Sequence, residues 1–177
     1  MMNMLLKPWF IDTNAIVKYF IDEKGSELIR WLIDEHVKYG IVLSTSIQVK
    51  DEFQAVIFKK VDLKRISSFE ANEIISLSKQ YFESIFHVTT SEAIARVPVE
   101  VSAIMNKYNL DPSKHSVDAK ILSCILNRFW FFEESSRTHV ITSDHKFQRI
   151  IKSEGYIVID PEGQTKEQII SYIKGLK

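Results

Sequence analysis

The sequence predicts an α/β fold, a three-layer α/β/α arrangement around a central, mainly parallel sheet, and three features carry that reading. Short apolar runs recur from end to end, as at Trp9-Phe10-Ile11, Ile41-Val42-Leu43 and Val140-Ile141-Thr142. Longer stretches with apolar residues at helical spacing lie between them. The short runs are continuous rather than alternating, which is the pattern of strands buried on both faces and joined by crossover helices.

Each element has its own grounds. Trp9 to Ile11 reads as the first strand, ending on Asp12-Thr13-Asn14. Ala15 to Ile21 places Ile16, Val17 and Phe20 on one helix face, and Asp22 to Gly25 breaks it. Ser26 is a plausible N-cap for a second helix with Leu28, Ile29, Leu32, Ile33 and Val37 on one side, stopped at Tyr39-Gly40. Ile41 to Leu43 is a buried parallel strand bounded by Gly40 and by Ser44, Thr45 and Ser46. A helix follows from Ile47 to Lys60, with Val49, Phe53, Val56 and Ile57 inward. Residues 61–86 contain a helical excursion, opened by the capping-box spacing of Ser67 and Glu70. Ile85 to Val88 is a further short strand. Thr90 or Ser91 caps a helix running to Tyr108, in which Pro98 marks a kink or boundary. Leu110-Asp111-Pro112 is a turn, Ser116 an N-cap, and Val117 to Phe131 a strongly apolar helix. Val140 to Thr142 is a strand, Phe147, Ile150 and Ile151 mark a short helix, and Tyr156 to Ile159 is the last strand. A final helix spans Lys166 to Ile173.

The 177 residues fit one domain, residues 1–177, and suffice for a sizeable core. Lys plus Arg and Asp plus Glu both number 23, so the net charge is zero, which argues against broad basic coating of nucleic acid but not against a local basic surface. Cys124 is the single cysteine, so no internal disulfide forms, and its apolar surroundings suggest a buried core thiol in a reducing, cytoplasmic setting. No stretch reaches the roughly 18 apolar residues of a membrane span. Met4-Leu5-Leu6 is too short for the apolar region of a signal peptide.

The chemistry concentrates in four acids. Asp12 and Asp144 each follow an apolar strand. Glu52 and Asp118 lie early in helices. Right-handed crossovers gather the loops leaving parallel strands on one rim, where open α/β folds bind ligands. Taken singly, Asp12, Asp118 and Asp144 each read as a helix cap. Jointly that reading weakens, because four caps would not need this placement. Clustered carboxylates raise one another's pKa, and a divalent cation removes the difficulty. Hard Mg²⁺ or Mn²⁺ suits oxygen donors, and no Cys/His cluster offers a zinc site.

Four segments in this order resemble the PIN-domain nucleases, including the VapC-type toxins: Phe10-Ile11-Asp12-Thr13-Asn14, Ser46 to Phe53, Val117 to Leu122, and Ile141 to Phe147. Val158-Ile159-Asp160-Pro161 is similar to the family's last strand. The resemblance implies a Mg²⁺- or Mn²⁺-dependent endoribonuclease that hydrolyses RNA phosphodiester bonds. It assigns Asp12, Glu52, Asp118 and Asp144 as the metal-binding, catalytic acids, with Asn14 and Ser143 orienting carboxylates behind them. Asp51 stands beside Glu52, and Phe53 after the acid favours Glu52. A toxin role with an antitoxin partner, and a homodimer, are expected by resemblance only. The alternative is a catalytically inactive PIN-like scaffold that binds RNA or protein. An aspartyl phosphatase would want a second Asp at position 14, where Asn14 stands. A receiver domain would want an acid ending the second strand, where Ser44 stands.

Other residues carry weaker signals. Lys59, Lys60, Lys64 and Arg65 form the best cluster for phosphate contacts, with a solvated helix face as the plainer reading. His145 reads as an exposed helix-start histidine. Phe129-Trp130-Phe131-Phe132 reads as core packing or a dimer interface, with base stacking as the functional alternative.

Overall fold

The computed structural model describes residues 7–89, 97–127 and 139–175. The elements run in the order β1 (Lys7–Ile11), α1 (Thr13–Phe20), α2 (Ser26–Glu35), a 3-10 turn (His36–Tyr39), β2 (Ile41–Ser46), α3 (Ile47–Asp62), α4 (Ser68–Ser84) and β3 (His87–Thr89). Then follow α5 (Val97–Lys107), α6 (Pro112–Asn127), β4 (His139–Ile141), α7 (His145–Ser153), β5 (Ile157–Ile159) and α8 (Lys166–Gly175).

Among the described residues five strands form one sheet in the order β3-β2-β1-β4-β5, with every pairing parallel. Trp9 pairs with Leu43 on one side of β1 and with His139 on the other. The chain therefore steps outward from β1 through β2 to β3, then returns to the opposite side of β1 for β4 and β5. The direction of winding reverses between β1 and β4. That is the switch point at which the loops leaving two adjacent strands diverge and open a crevice.

Burial accounts for these strands. Trp9, Phe10, Ile11, Val140 and Ile141 are at most 1% exposed, as expected for a sheet covered on both faces. Leu43 joins them, together with Ile16 from α1, Ile29 and Leu32 from α2, Phe53 and Ile57 from α3, and Ile121, Leu122 and Ile125 from α6. Cys124 is buried, as its apolar surroundings suggested.

The structure departs from the sequence reading in several places. β2 continues past Leu43 through Ser44, Thr45 and Ser46, all fully buried. Their hydroxyls find partners: Ser44 Oγ donates to the Trp9 carbonyl (3.2 Å) and Thr45 Oγ1 to the Ile11 carbonyl (3.0 Å), while Ser46 caps α3. Polar residues stay in a buried strand when the neighbouring strand's carbonyls satisfy them. Ser26 is the first residue of α2 rather than its cap. Its hydroxyl instead donates to the Ile21 carbonyl and accepts from the Glu23 amide, and Gly25 takes the cap position in a left-handed conformation. A β-carbon at Gly25 would stand 2.5 Å from the Pro161 carbonyl oxygen, so this turn lies against the turn after β5. Ser116 stands where helical backbone resumes after a break at His115, so the segment carrying Asp118 starts where expected, with a short helical turn ahead of it. α6 begins at Pro112 and kinks at His115 (φ −122°, ψ 16°). The capping box of Ser67 and Glu70 is present in full. β3 lies slightly later than expected, at His87–Thr89. Pro98 falls in α5. Thr90, Ser91 and the Phe129–Phe132 run lie outside the described residues.

Candidate active site

At the switch point, Asp12 closes β1 and caps α1. Its backbone amide donates to the Ile141 carbonyl (3.0 Å), extending the β1–β4 ladder by one rung. The carboxylate is 6% exposed and held from three directions. Oδ1 accepts from the Thr13 amide (2.8 Å). Oδ2 accepts from the Thr142 hydroxyl (2.8 Å) and from Asn14 Nδ2 (2.7 Å). Asn14 Nδ2 also reaches Thr142 Oγ1 (3.1 Å), and Asn14 Oδ1 accepts from the Ser143 amide (2.8 Å). Thr142 Oγ1 accepts in addition from the Asp144 amide (3.1 Å). The ends of β1 and β4 are thus laced together through three side chains, Asp12, Asn14 and Thr142.

The remaining acids arrive on helices. Ser46 caps α3, which carries Glu52 to the cleft, where its carboxylate accepts a hydrogen bond from the Thr13 hydroxyl. Asp118 lies on α6 just past the kink at His115. Asp144 caps α7, with Oδ1 accepting from the Phe147 amide (2.8 Å). All four acids line one cleft of about 380 Å³, with Thr13, Asn14, Val17, Lys18, Glu23, Val56, Lys60, Ser143, Phe147 and Glu162. Asp51 is exposed and is not among the lining residues, whereas Glu52 is.

Burial pushes the Asp12 carboxyl up to about 7, and the charges of Glu52 and Asp118 add to the effect. The hydrogen bonds from Thr142 and Thr13 oppose it. Glu52 is raised in the same way, by burial first and then by Asp118 and Asp144, against the Thr13 hydrogen bond. Acids outnumber bases in the cleft, and its two lysines, Lys18 and Lys60, pair with Glu162 and Glu23 rather than with Asp12.

Among the described residues no three acid, histidine or cysteine side chains converge into a ready ligand set. The donor chemistry nevertheless fits a hard divalent cation. Asp12, Glu52, Asp118 and Asp144 share the cleft with two further carboxylates, Glu23 and Glu162, and Mg²⁺ takes one or two carboxylates while keeping several waters.

Several features of the site depart from the sequence reading. Thr142, read as a strand residue, provides the hydroxyl that orders Asp12. Ser143, expected to orient a carboxylate, instead donates its backbone amide to Asn14, while its buried Oγ has no hydrogen-bond partner among the described residues. Beside Asp118, Lys146 Nζ donates to His115 Nε2 (2.8 Å) and His115 Nδ1 donates to Asp118 Oδ2 (2.9 Å). Because lysine only donates, this tautomer satisfies both contacts. His145 is exposed. The basic cluster expected along α3 divides. Lys60 turns into the cleft, Lys59 and Lys64 stay exposed, and Arg65 approaches Glu23 (3.9 Å). Lys18, Glu23 and Glu162 also line the cleft without having been singled out. Lys18 follows Asn14 by one helical turn, a spacing that offered a signal.

No curated relative matches the sequence. Among solved structures the fold is similar to VapBC2 from Rickettsia felis, bound to a DNA fragment from its promoter. The TM-score is 0.53 at 14% identity, covering 86% of this chain and 98% of the other. That likeness shows the fold. The family model of the PIN domain, a family generally of nucleases, matches residues 9–152, from the middle of β1 to the end of α7. That span includes Asp12, Glu52, Asp118 and Asp144, and the chain belongs to the PIN domain family.

Proposed function

We propose that the chain is a metal-dependent endoribonuclease in which Asp12, Asp118 and Asp144 hold one or two Mg²⁺ or Mn²⁺ ions and Glu52 completes the site. The observation that carries this reading is the buried Asp12 carboxylate, held by Thr142, Asn14 and Thr13 and sharing its cleft with Glu52, Asp118 and Asp144. Such a cluster is costly in isolation and is relieved by a hard cation. When bound, the metal lowers the pKa of a water and neutralises charge on the phosphate. The chain's own groups keep the carboxylates aimed. The Thr142 hydroxyl and the Asn14 amide fix Asp12, the Thr13 hydroxyl holds Glu52, and His115 holds Asp118. Water serves as the nucleophile, so no nucleophilic side chain is needed. Asn14 at position 14 donates to Asp12 instead of supplying the second acid that an aspartyl phosphatase needs.

RNA as the substrate rests on the resemblance to VapC-type nucleases. A toxin role with an antitoxin partner rests on the same ground and on the likeness to VapBC2, and a homodimer rests on the resemblance alone. The test is cleavage of unstructured single-stranded RNA in Mg²⁺. Asp12→Asn combined with Asp118→Asn lowers the rate by more than about two orders of magnitude, the scale expected when charge stabilisation of a transition state is lost. A double variant cleaving at the wild-type rate overturns the assignment. Absence of cleavage and of metal-dependent binding by the wild-type chain, across several RNAs, favours the scaffold reading instead.

A further inference from the structure

The cleft has a second half that the acids do not explain. Lys18 and Lys60 both line it. Their side chains are only 6% and 11% exposed, unusual burial for lysine. Lys18 Nζ donates to Glu162 Oε1 (2.7 Å) and lies 3.9 Å from Glu23, while Lys60 Nζ donates to Glu23. An ammonium has three donors. Among the described residues each lysine donates one hydrogen bond, to a carboxylate, which leaves two donors on a side chain that lines the cleft.

Their placement follows from helix geometry. On α3, Glu52, Val56 and Lys60 are spaced i, i+4, i+8 and all three line the cleft, as do Asn14 and Lys18 at i, i+4 on α1. Lys60 therefore stands about 12 Å beyond Glu52 along the helix axis. That backbone separation suits a phosphate further along a strand than the one beside the acids. The fold fixes this half firmly. The turn at Gly25 abuts Pro161, which brings the loop bearing Glu23 beside the turn bearing Glu162.

We propose that Lys18 and Lys60 form a phosphate subsite that holds the backbone of the single-stranded RNA beside the scissile bond, with Glu23 and Glu162 keeping both ammonium groups in place before the strand arrives. This rests on the nuclease reading given above. The decisive variant is Lys60→Met, at the more exposed of the two lysines, with Lys60→Arg retaining the charge. Lys152→Met is the control, an exposed position at the far end of α7. Two measurements are made on one unstructured RNA: cleavage kinetics in Mg²⁺, and equilibrium binding by fluorescence anisotropy across a salt series in an Asp12→Asn background. Lys60→Met raises KM about tenfold with kcat within about twofold, and it lowers the salt slope of binding by about 0.7, one phosphate contact on a single strand. Lys60→Arg recovers most of the affinity, and Lys152→Met matches wild type. An unchanged KM and salt slope for Lys60→Met, in a wild-type background that cleaves RNA, overturns the subsite and leaves the nuclease reading standing. Loss that follows thermal stability alone, without recovery by Lys60→Arg, also overturns it. A wild-type chain that neither cleaves nor binds RNA overturns the nuclease reading and the subsite together.

Discussion

The hydroxyl of Thr142 has one donor and two acceptor positions, and the site uses all three. It donates to Asp12 Oδ2 and accepts from Asn14 Nδ2 and the Asp144 amide. Thr142 is fully buried, so water cannot replace any of these partners cheaply. Valine has nearly the same shape and none of the hydrogen bonds. Thr142→Val is therefore expected to cost about 1–3 kcal/mol of stability, measured by urea denaturation, because the freed groups remain buried. RNA cleavage falls about 10- to 100-fold, the usual penalty for removing a group that orients a metal-binding side chain. Thr142→Ser keeps the hydroxyl and restores most of the activity. If Thr142→Val cleaves RNA as wild type does, the hydroxyl does not govern Asp12.

α3 shows how one helix serves the core and the site at adjacent positions. Glu52 faces the cleft, and Phe53, the next residue, is fully buried. The Phe53 ring meets Phe20 of α1 edge-on (5.4 Å between centroids) and Phe82 of α4 (5.9 Å). It joins the two helices flanking α3, so truncation leaves a cavity that neither can fill without moving. Phe53→Ala is expected to lose about 3–5 kcal/mol in chemical denaturation, whereas Phe53→Leu loses less. A loss under about 1 kcal/mol for Phe53→Ala would show that the helices collapse onto the gap. Elements of this kind were legible in the sequence because apolar spacing and burial are the same physical fact. Element ends were less legible. The polar half of β2 and the role of Ser26 depend on carbonyls in β1 and on a turn, which periodicity does not encode. The turn of helix ahead of the break at His115 was hidden for a related reason, since Leu110-Asp111-Pro112 read as a turn and Ser116 marked only the segment that follows the break.

At the scale of the molecule, the sequence announced parallel strands and four acids on one rim but not the strand order. That order decides that Asp12 and the end of β4 are neighbours at the switch point. Thr142 went unnoticed because its partner Asp12 is 130 positions away, and Lys18 because Glu162 is 144 away. The assembled cluster has a consequence for the stability of the whole chain. Asp12 has an ordinary pKa of 3.8 when unfolded and about 7 when folded. Between those values the unfolded chain has released this proton and the folded chain retains it. Stability contributed by the protonated carboxyl is thus complete below pH 4, declines as pH rises towards 7, and is gone above it. Glu52, shifted in the same direction, steepens the decline. The expected loss from Asp12 is roughly 4 kcal/mol. Other carboxylates titrate too, so the quantity to measure is the stability of wild type relative to Asp12→Asn, by urea denaturation in EDTA at several pH values from 4 to 8. That difference shifts against wild type as pH rises. Adding Mg²⁺ or Mn²⁺ at pH 8 reverses the shift for wild type and has little effect on Asp12→Asn, because binding to the folded state alone stabilises it. A pH-independent difference in EDTA would mean that the folded protein does not hold the Asp12 proton. Equal stabilisation of both proteins by the cation would mean that Asp12 is not among its ligands.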